Sequence, residues 1–468
     1  MNTILWFQRD LRLNCNPALN WALKHGNPII AVFVYSPEED QPWQSGPASN
    51  WWLHNSLREL SKELLQHGIK LYFFKGNSTQ IIPELISTFK ANAICWTNRH
   101  EPKRIQYEAE IDRKLNNEGL VVKRFQDELL KEANDFVTKT HKTPYKIFTP
   151  FYKRLRHELA LSGYSSDVAE TQWPENLSSP VQQYEVGSNL EQLNLLDTND
   201  WSSKLFRHWD PGEKAALKKL DFFVEKNLDN YSHNRDIPGI DGTSTLSAHL
   251  HFGEIAPGQI LAALSPYISY YDGNRTNNSE SFLRQLIWRE FARYILRHFP
   301  DTANEPMNKK FSASFWQFDP YKLEQWQQGN TGVPIIDAGM RQLWETGWMH
   351  NRVRMLAASF LTKNLGIPWQ EGARWFWHTL VDADLANNSM GWQWVSGCGV
   401  DAAPYFRIFN PYTQTQRFDK HHSYIKRWQN ICSQNSATQP MIDVGQSRKD
   451  ALSRYKRYMR GSSVSDID

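Results

Sequence analysis

The chain has 468 residues, a net charge of +3 and 20 tryptophans. That length allows two or three domains with sizeable cores, and the near-balanced charge confines any nucleic-acid surface to a local patch. Cys15, Cys95, Cys398 and Cys432 are scattered with no CxxC pair, which excludes an evident disulfide frame or zinc site and reads as reduced thiols.

The opening residues, Met1-Asn-Thr-Ile-Leu-Trp-Phe7, lack the apolar core of a signal peptide. No apolar run approaches the ~20 residues needed to cross a bilayer. A soluble cytoplasmic protein with no membrane partner is expected. Residues 4–7, 29–35 and 70–74 are short β-rich runs, with a weaker fourth at 93–96. Helical patterns cover 51–67, ended by Gly68, and 79–90. Strands alternating with helices predict an α/β, Rossmann-like parallel sheet over residues 1–130. Neither GxGxxG nor GxxxxGK[ST] is present, so the usual phosphate turns of such sheets are missing.

Residues 131–200 gather Pro, Ser, Asn and Thr around a short helical piece at 152–161 and read as a long linker. From 201 to 468 the pattern is helical. Residues 282–299 repeat apolar positions at helical spacing, and 334–345 starts on proline and stops near Gly347. Residues 348–365 are followed by Gly366 and Pro368, a helix stop. The basic stretch 448–460 reads as the solvated face of a last helix. The tryptophans concentrate after residue 200. They can fill cores, stack on planar ligands or relay electrons, and composition alone favours the first.

Several clusters carry chemistry. Gly242-Thr-Ser-Thr-Leu-Ser247 offers three hydroxyls and free N–H groups before a helix, which suits a phosphate as well as an ordinary N-cap. On 282–299, Gln285, Trp288, Arg289 and Ala292 share a face, able to hold a base or simply to pack. Placed on one helix, Trp348, Asn351, Arg352 and Met355 form a second stripe, where a buried amide between apolar neighbours suggests a ligand. Asp382, Asp384 and Asn388 lie close together without the His or third carboxylate of a metal site, and the expectation is no metal. Asp384 and Asn388 are suited to the edge of a planar heterocycle.

The runs Ile287-Trp-Arg-Glu-Phe291, Gly347-Trp-Met-His-Asn-Arg-Val-Arg-Met355, Asp382-Ala-Asp-Leu385, Gly391-Trp-Gln-Trp394 and Asp401-Ala-Ala-Pro-Tyr-Phe-Arg-Ile-Phe-Asn-Pro411 resemble the photolyase/cryptochrome family, and most of all its bacterial class I cyclobutane dimer photolyases. Trp6-Phe-Gln-Arg-Asp-Leu-Arg-Leu13 is similar to the family's first strand and loop. The resemblance implies an antenna domain at 1–130, the linker at 131–200 and a helical FAD-binding domain at 201–468. It implies a monomer that repairs cyclobutane pyrimidine dimers in damaged DNA, by electron transfer from excited reduced FAD to a flipped dimer.

By matched motif positions, Tyr231, Thr243, Ser244, Thr245, Leu246 and Ser247 resemble the flavin phosphate and ribityl contacts. Arg289, Asn351, Arg354, Asp382, Ala383, Asp384 and Asn388 resemble the surroundings of the isoalloxazine, with Asn388 near N5. Gln285, Trp288, Arg289, Trp348, Asn351, Arg352, Met355 and Gln414 resemble the dimer pocket and its rim, and Arg235 and Arg407 the DNA-backbone contacts. Trp316, Trp369 and Trp392 resemble the electron-relay chain.

The departures are specific. Gln285 stands where class I members have glutamate, which implies retained dimer binding with a lower repair yield. Cys15 replaces an aspartate and Thr245 a frequent arginine. Lys103-Arg104 falls where an acidic folate contact is usual, which argues against 5,10-methenyltetrahydrofolate as the antenna chromophore and leaves a deazaflavin as the alternative. A cryptochrome photoreceptor, a (6-4) photolyase and a generic flavin oxidoreductase are the competing readings. Against them stand the short stretch after Pro411, the lack of a histidine where Asn351 lies, and the missing dinucleotide fingerprint.

Overall fold

The computed structural model describes residues 2–25, 28–164, 169–174, 186–196, 201–269, 274–311, 313–402, 406–429 and 439–461. The chain divides into two compact units. The first comprises residues 1–135, 152–229 and 244–290; the second comprises 136–151, 230–243 and 291–468.

A five-stranded parallel sheet forms the centre of the first unit. Its strands are β1 (Asn2–Phe7), β2 (Ile29–Tyr35), β3 (Leu71–Lys75), β4 (Ala91–Thr97) and β5 (Val121–Phe125), in the spatial order β3-β2-β1-β4-β5. All four pairings are parallel, with Leu5 of β1 opposite Ala31 and Cys95. Central β1 is an unbroken apolar run because both its faces are covered, with Ile4, Leu5, Trp6 and Phe7 buried. Helices Pro17–His25, Pro47–Gln66, Ser78–Thr88 and Pro102–Asn117 make the crossovers. Trp6 and Trp96 meet at 5.6 Å within the core. The edge strand β5 escapes the apolar-run criterion because it carries the adjacent Lys123 and Arg124 and is nowhere fully buried.

The loop after β1 is tied down by buried charges. Glu213 accepts from the backbone N–H of Leu13 (2.7 Å) and Asn14 (2.9 Å), and Arg12 pairs with Asp127. Arg104 bonds Glu39 and Asp40, so the position where an acid was expected is itself surrounded by two.

Helices dominate the second unit. Pro334–Thr346 begins on its proline and ends at Gly347, whose φ of +66° is the left-handed turn that favours glycine. The single helix expected over 348–365 is shorter: Asn351–Ser359 is α-helical and Phe360–Asn364 continues as a π turn. Trp348 and Met349 lie in the connection, and His350 is the N-cap, its ring accepting from the Arg352 N–H at 3.2 Å. Trp369–Thr379 packs on Leu385–Ser396 without a side chain between them at Gly372, where a Cβ would stand 2.1 Å from Cη2 of Trp392. The last described helix, Val444–Gly461, carries the basic stretch. No described helix is long and apolar enough to cross a membrane. Cys15, Cys95 and Cys398 are free thiols, whereas Cys432 lies outside the described residues.

Candidate cofactor and substrate site

The candidate residues divide between the units. In the first, the turn 244–247 precedes the short helix Ser247–Phe252. Thr245 takes φ +52°, in the left-handed region, while Leu246 next to it is right-handed. Such alternation turns consecutive N–H groups towards one concavity. The Ser244 hydroxyl accepts weakly from the Leu246 N–H (3.4 Å), and Lys219 donates to the Thr245 hydroxyl at 3.2 Å. Leu246 is buried and Ser247 is exposed.

Gln285 and Trp288 are half-buried on helix Asn274–His298. The Gln285 amide donates back to Ser281 O at 3.1 Å. Arg289 is buried and donates to the carbonyls of Glu128 (2.6 Å) and Leu250 (3.5 Å), with Glu290 at 3.4 Å. Its guanidinium thus binds backbone of its own unit, a role that spacing along one helix could not reveal.

In the second unit two ion pairs organise the stretch 382–388. Arg354 meets Asp382 at 2.9 Å, also donating to Met349 O at 2.7 Å. Arg293 meets Asp384 at 3.1 Å, both side chains nearly buried. Asp384 also caps Leu385–Ser396, accepting from the Asn387 N–H at 2.9 Å. Ala383 between the two carboxylates is buried. Asn388 donates its amide to Ala373 O at 3.1 Å, which leaves its carbonyl oxygen as an acceptor. Sequence reading missed Arg293, although it stands one turn beyond Arg289 on the same helix.

The proposed stripe is only partly a helix face. Asn351 and Met355 do meet, amide to sulfur at 3.8 Å. Asn351 is exposed and is not the buried amide that the stripe predicted. Trp348 is held before the helix by the Thr346 hydroxyl, which accepts from its N–H at 3.1 Å, and the Arg354 guanidinium lies 5.9 Å from its ring. Arg352 is drawn to Asp236 (2.7 Å) and lies over the Phe418 ring (4.2 Å). His350 is buried, and desolvation holds its pKa down to about 4. Tyr231 is buried too, its hydroxyl pushed up to about 12 for the same reason, with Arg235 against its ring at 5.4 Å. Thr243 is half-buried beside Gly242, where a Cβ would sit 2.6 Å from Asn234 Cβ.

Arg407 is exposed, its carbonyl accepting from Lys363, and Gln414 is half-buried on helix Pro411–Phe418. Ala403, Pro404 and Tyr405 of the matching motif lie outside the described residues. Trp316, Trp369 and Trp392 are all buried. Trp392 lies against Phe376 (5.0 Å) and Trp326 (6.2 Å), and Trp316 against Phe315 (4.8 Å) and Phe311 (6.4 Å). The Trp369 indole N–H has no hydrogen-bond partner among the described residues.

Two family models match the chain: DNA photolyase over residues 3–175 and the FAD binding domain of DNA photolyase over 282–439. The chain is 40% identical over 429 residues to a deoxyribodipyrimidine photo-lyase of Agrobacterium fabrum, covering 91% of this chain and 86% of that one. The chain belongs to the photolyase/cryptochrome family. It is also 34% identical to Cryptochrome-2 of Arabidopsis thaliana, over 91% of this chain and 70% of that one. Its structure is similar to the crystal structure of a bacterial class III photolyase from Agrobacterium tumefaciens, with TM-score 0.88, 37% identity and 98% of each chain covered. The chain is therefore a deoxyribodipyrimidine photolyase, a light-driven DNA-repair enzyme with an FAD-binding domain. The residues fit that cofactor. Within the second unit, two carboxylate–arginine pairs and an amide acceptor are groups of the kind a flavin ring can pair with; within the first, the hydroxyl-rich turn with Lys219 beside it suits a phosphate.

Proposed function

We propose that Asp382, Ala383, Asp384 and Asn388, with Arg354, Asn351 and Arg289, hold the isoalloxazine, and that Tyr231 and Thr243–Ser247 hold the ribityl chain and phosphates. The observation that carries this reading is the anchored Asn388 amide beside two ion-paired aspartates. Its Nδ2 is committed to the Ala373 carbonyl, so its oxygen is presented as a fixed acceptor to a ring N–H. The arginines hold both aspartates in place through their ion pairs.

FAD, when bound, supplies the light-driven electron that opens the cyclobutane ring. The chain's own residues bind and orient the lesion. Trp288 and Trp348 offer faces for stacking, Met355 an apolar contact, and Asn351 and Gln414 amides for base edges. Gln285 donates a hydrogen bond to the dimer without being able to give it a proton. Arg235, Arg352 and Arg407 bring positive charge to the DNA backbone. The dimer is read as flipped out of the duplex, which costs less for a lesion that pairs and stacks poorly. Trp316, Trp369 and Trp392 form the relay that re-reduces the cofactor. Burial of all three indoles supports it.

Residues 1–130 are the antenna domain for a second chromophore, folate or deazaflavin, residues 131–200 the connection, and 201–468 the catalytic domain. The likeness to the solved class III structure supports class III over class I. We read the protein as a cytoplasmic monomer. Illumination of the reduced holoenzyme with oligonucleotides carrying a defined cyclobutane dimer or a (6-4) lesion tests the assignment. Repair of the cyclobutane dimer alone is expected; repair of neither substrate would favour a photoreceptor.

A further inference from the structure

Among the described residues, Lys219 is a cation that forms no ion pair. It lies on helix Glu213–Phe222, half-buried, while its neighbour Lys218 is exposed. Its ammonium donates to the neutral hydroxyl of Thr245 at 3.2 Å and stands 5.2 Å from the Trp209 ring. No carboxylate of the described residues forms an ion pair with it. Asp210 acts on it only from beyond that range, and desolvation wins, lowering its pKa. A lysine normally avoids such a position by reaching out to water. Its hydroxyl partner belongs to the turn in which left-handed Thr245 and right-handed Leu246 direct their N–H groups to one side, a geometry that recruits anions.

We infer that Lys219 is a phosphate-binding residue of the FAD site, supplying from the 213–222 helix the positive charge that the family resemblance implies as an arginine at the position of Thr245. The assignment rests on the reading that residues 243–247 hold the flavin phosphates. Thr245 keeps the turn and a hydroxyl, and the charge has moved to a side chain that reaches the same hydroxyl from a different element. The transposition explains why a cation is kept half-buried beside a Ser/Thr turn rather than in solvent.

The test is FAD release from the purified holoprotein, measured as the dissociation rate and as flavin retained after gel filtration. K219M keeps the alkyl length and its packing on Trp209 but removes the charge. It should release FAD roughly tenfold faster or more, the scale of one charge-assisted hydrogen bond. K219R should behave as the parent, and the double variant K219M/T245R should recover most of the lost retention, because the charge returns at its other position. Release at the parental rate in K219M overturns the assignment. So does faster release that T245R does not restore, since that marks Lys219 as a packing residue. A parent protein that binds no flavin would instead overturn the reading of 243–247 itself.

Discussion

The turn 243–247 and the stretch 382–388, both proposed to face the cofactor, are held in opposite ways. The turn is self-made: a left-handed residue, a weak hydroxyl contact two residues away, and one lysine from outside. The stretch 382–388 is held by partners distant in sequence: Arg354, Arg293 and the Ala373 carbonyl. A self-made turn tolerates loss of one member, because its backbone conformation persists. A stretch held by buried charges does not, since removing one partner strands the other.

The largest consequence falls on Asp384. Asp384→Ala leaves the Arg293 guanidinium buried without its carboxylate and removes the cap of Leu385–Ser396. A loss of roughly 3–5 kcal/mol of stability is expected from breaking such a buried pair. Urea denaturation of the holoprotein and of flavin-stripped protein reads it. Similar stability in the variant would show that the pair is not what holds this stretch, and the contrast would collapse.

This difference also sets what was legible from sequence. The sheet announced itself because β1, β2 and β3 are contiguous apolar runs, whereas β5, an edge strand bearing Lys123 and Arg124, did not. The 242–247 motif could be read because its parts are adjacent. The partners Arg293, Asp236 and Lys219 could not, since periodicity gives the face of a helix and not what a long side chain reaches. Trp348 shows the same limit. Spacing placed it on the Asn351–Met355 stripe, but Gly347 and the His350 cap start the helix three residues later. The resemblance supplied roles for Asn388 and Arg289 that their own spacing left open.

His350 sharpens the comparison through pH. Its unfolded imidazole takes up a proton near the ordinary value of 6.5, and the buried one near about 4. Between those values the unfolded chain binds more protons, so stability falls as pH drops from about 6.5 towards 4. The loss is at most roughly 3 kcal/mol. His350→Asn keeps a capping side chain and removes the titration, so its stability should lose less over that window. An unchanged acid slope would assign the sensitivity to other groups.

Gln285 is locally held, its amide donating to Ser281 one turn back. Gln285→Glu should therefore fold as the parent does, with a stability change inside roughly ±0.5 kcal/mol. Its effect belongs to chemistry: a carboxyl can pass a proton to the electron-rich lesion, and the repair yield per absorbed photon should rise. An unchanged yield would mean that the side chain at 285 only positions the dimer.

The smallest effect is expected at Ser244. Its hydroxyl accepts from the Leu246 N–H at 3.4 Å, a long contact that contributes little. Ser244→Ala leaves the left-handed Thr245 and its bond from Lys219 untouched, so stability should again stay within about 0.5 kcal/mol and flavin retention should fall far less than in K219M. Because 244 and 245 are neighbours, this pair separates hydroxyl from charge. If Ser244→Ala released flavin as readily as removal of the Lys219 ammonium, the turn would bind through its hydroxyls, and the charge brought from the 213–222 helix would be incidental. If it does not, the turn supplies shape and the lysine supplies attraction.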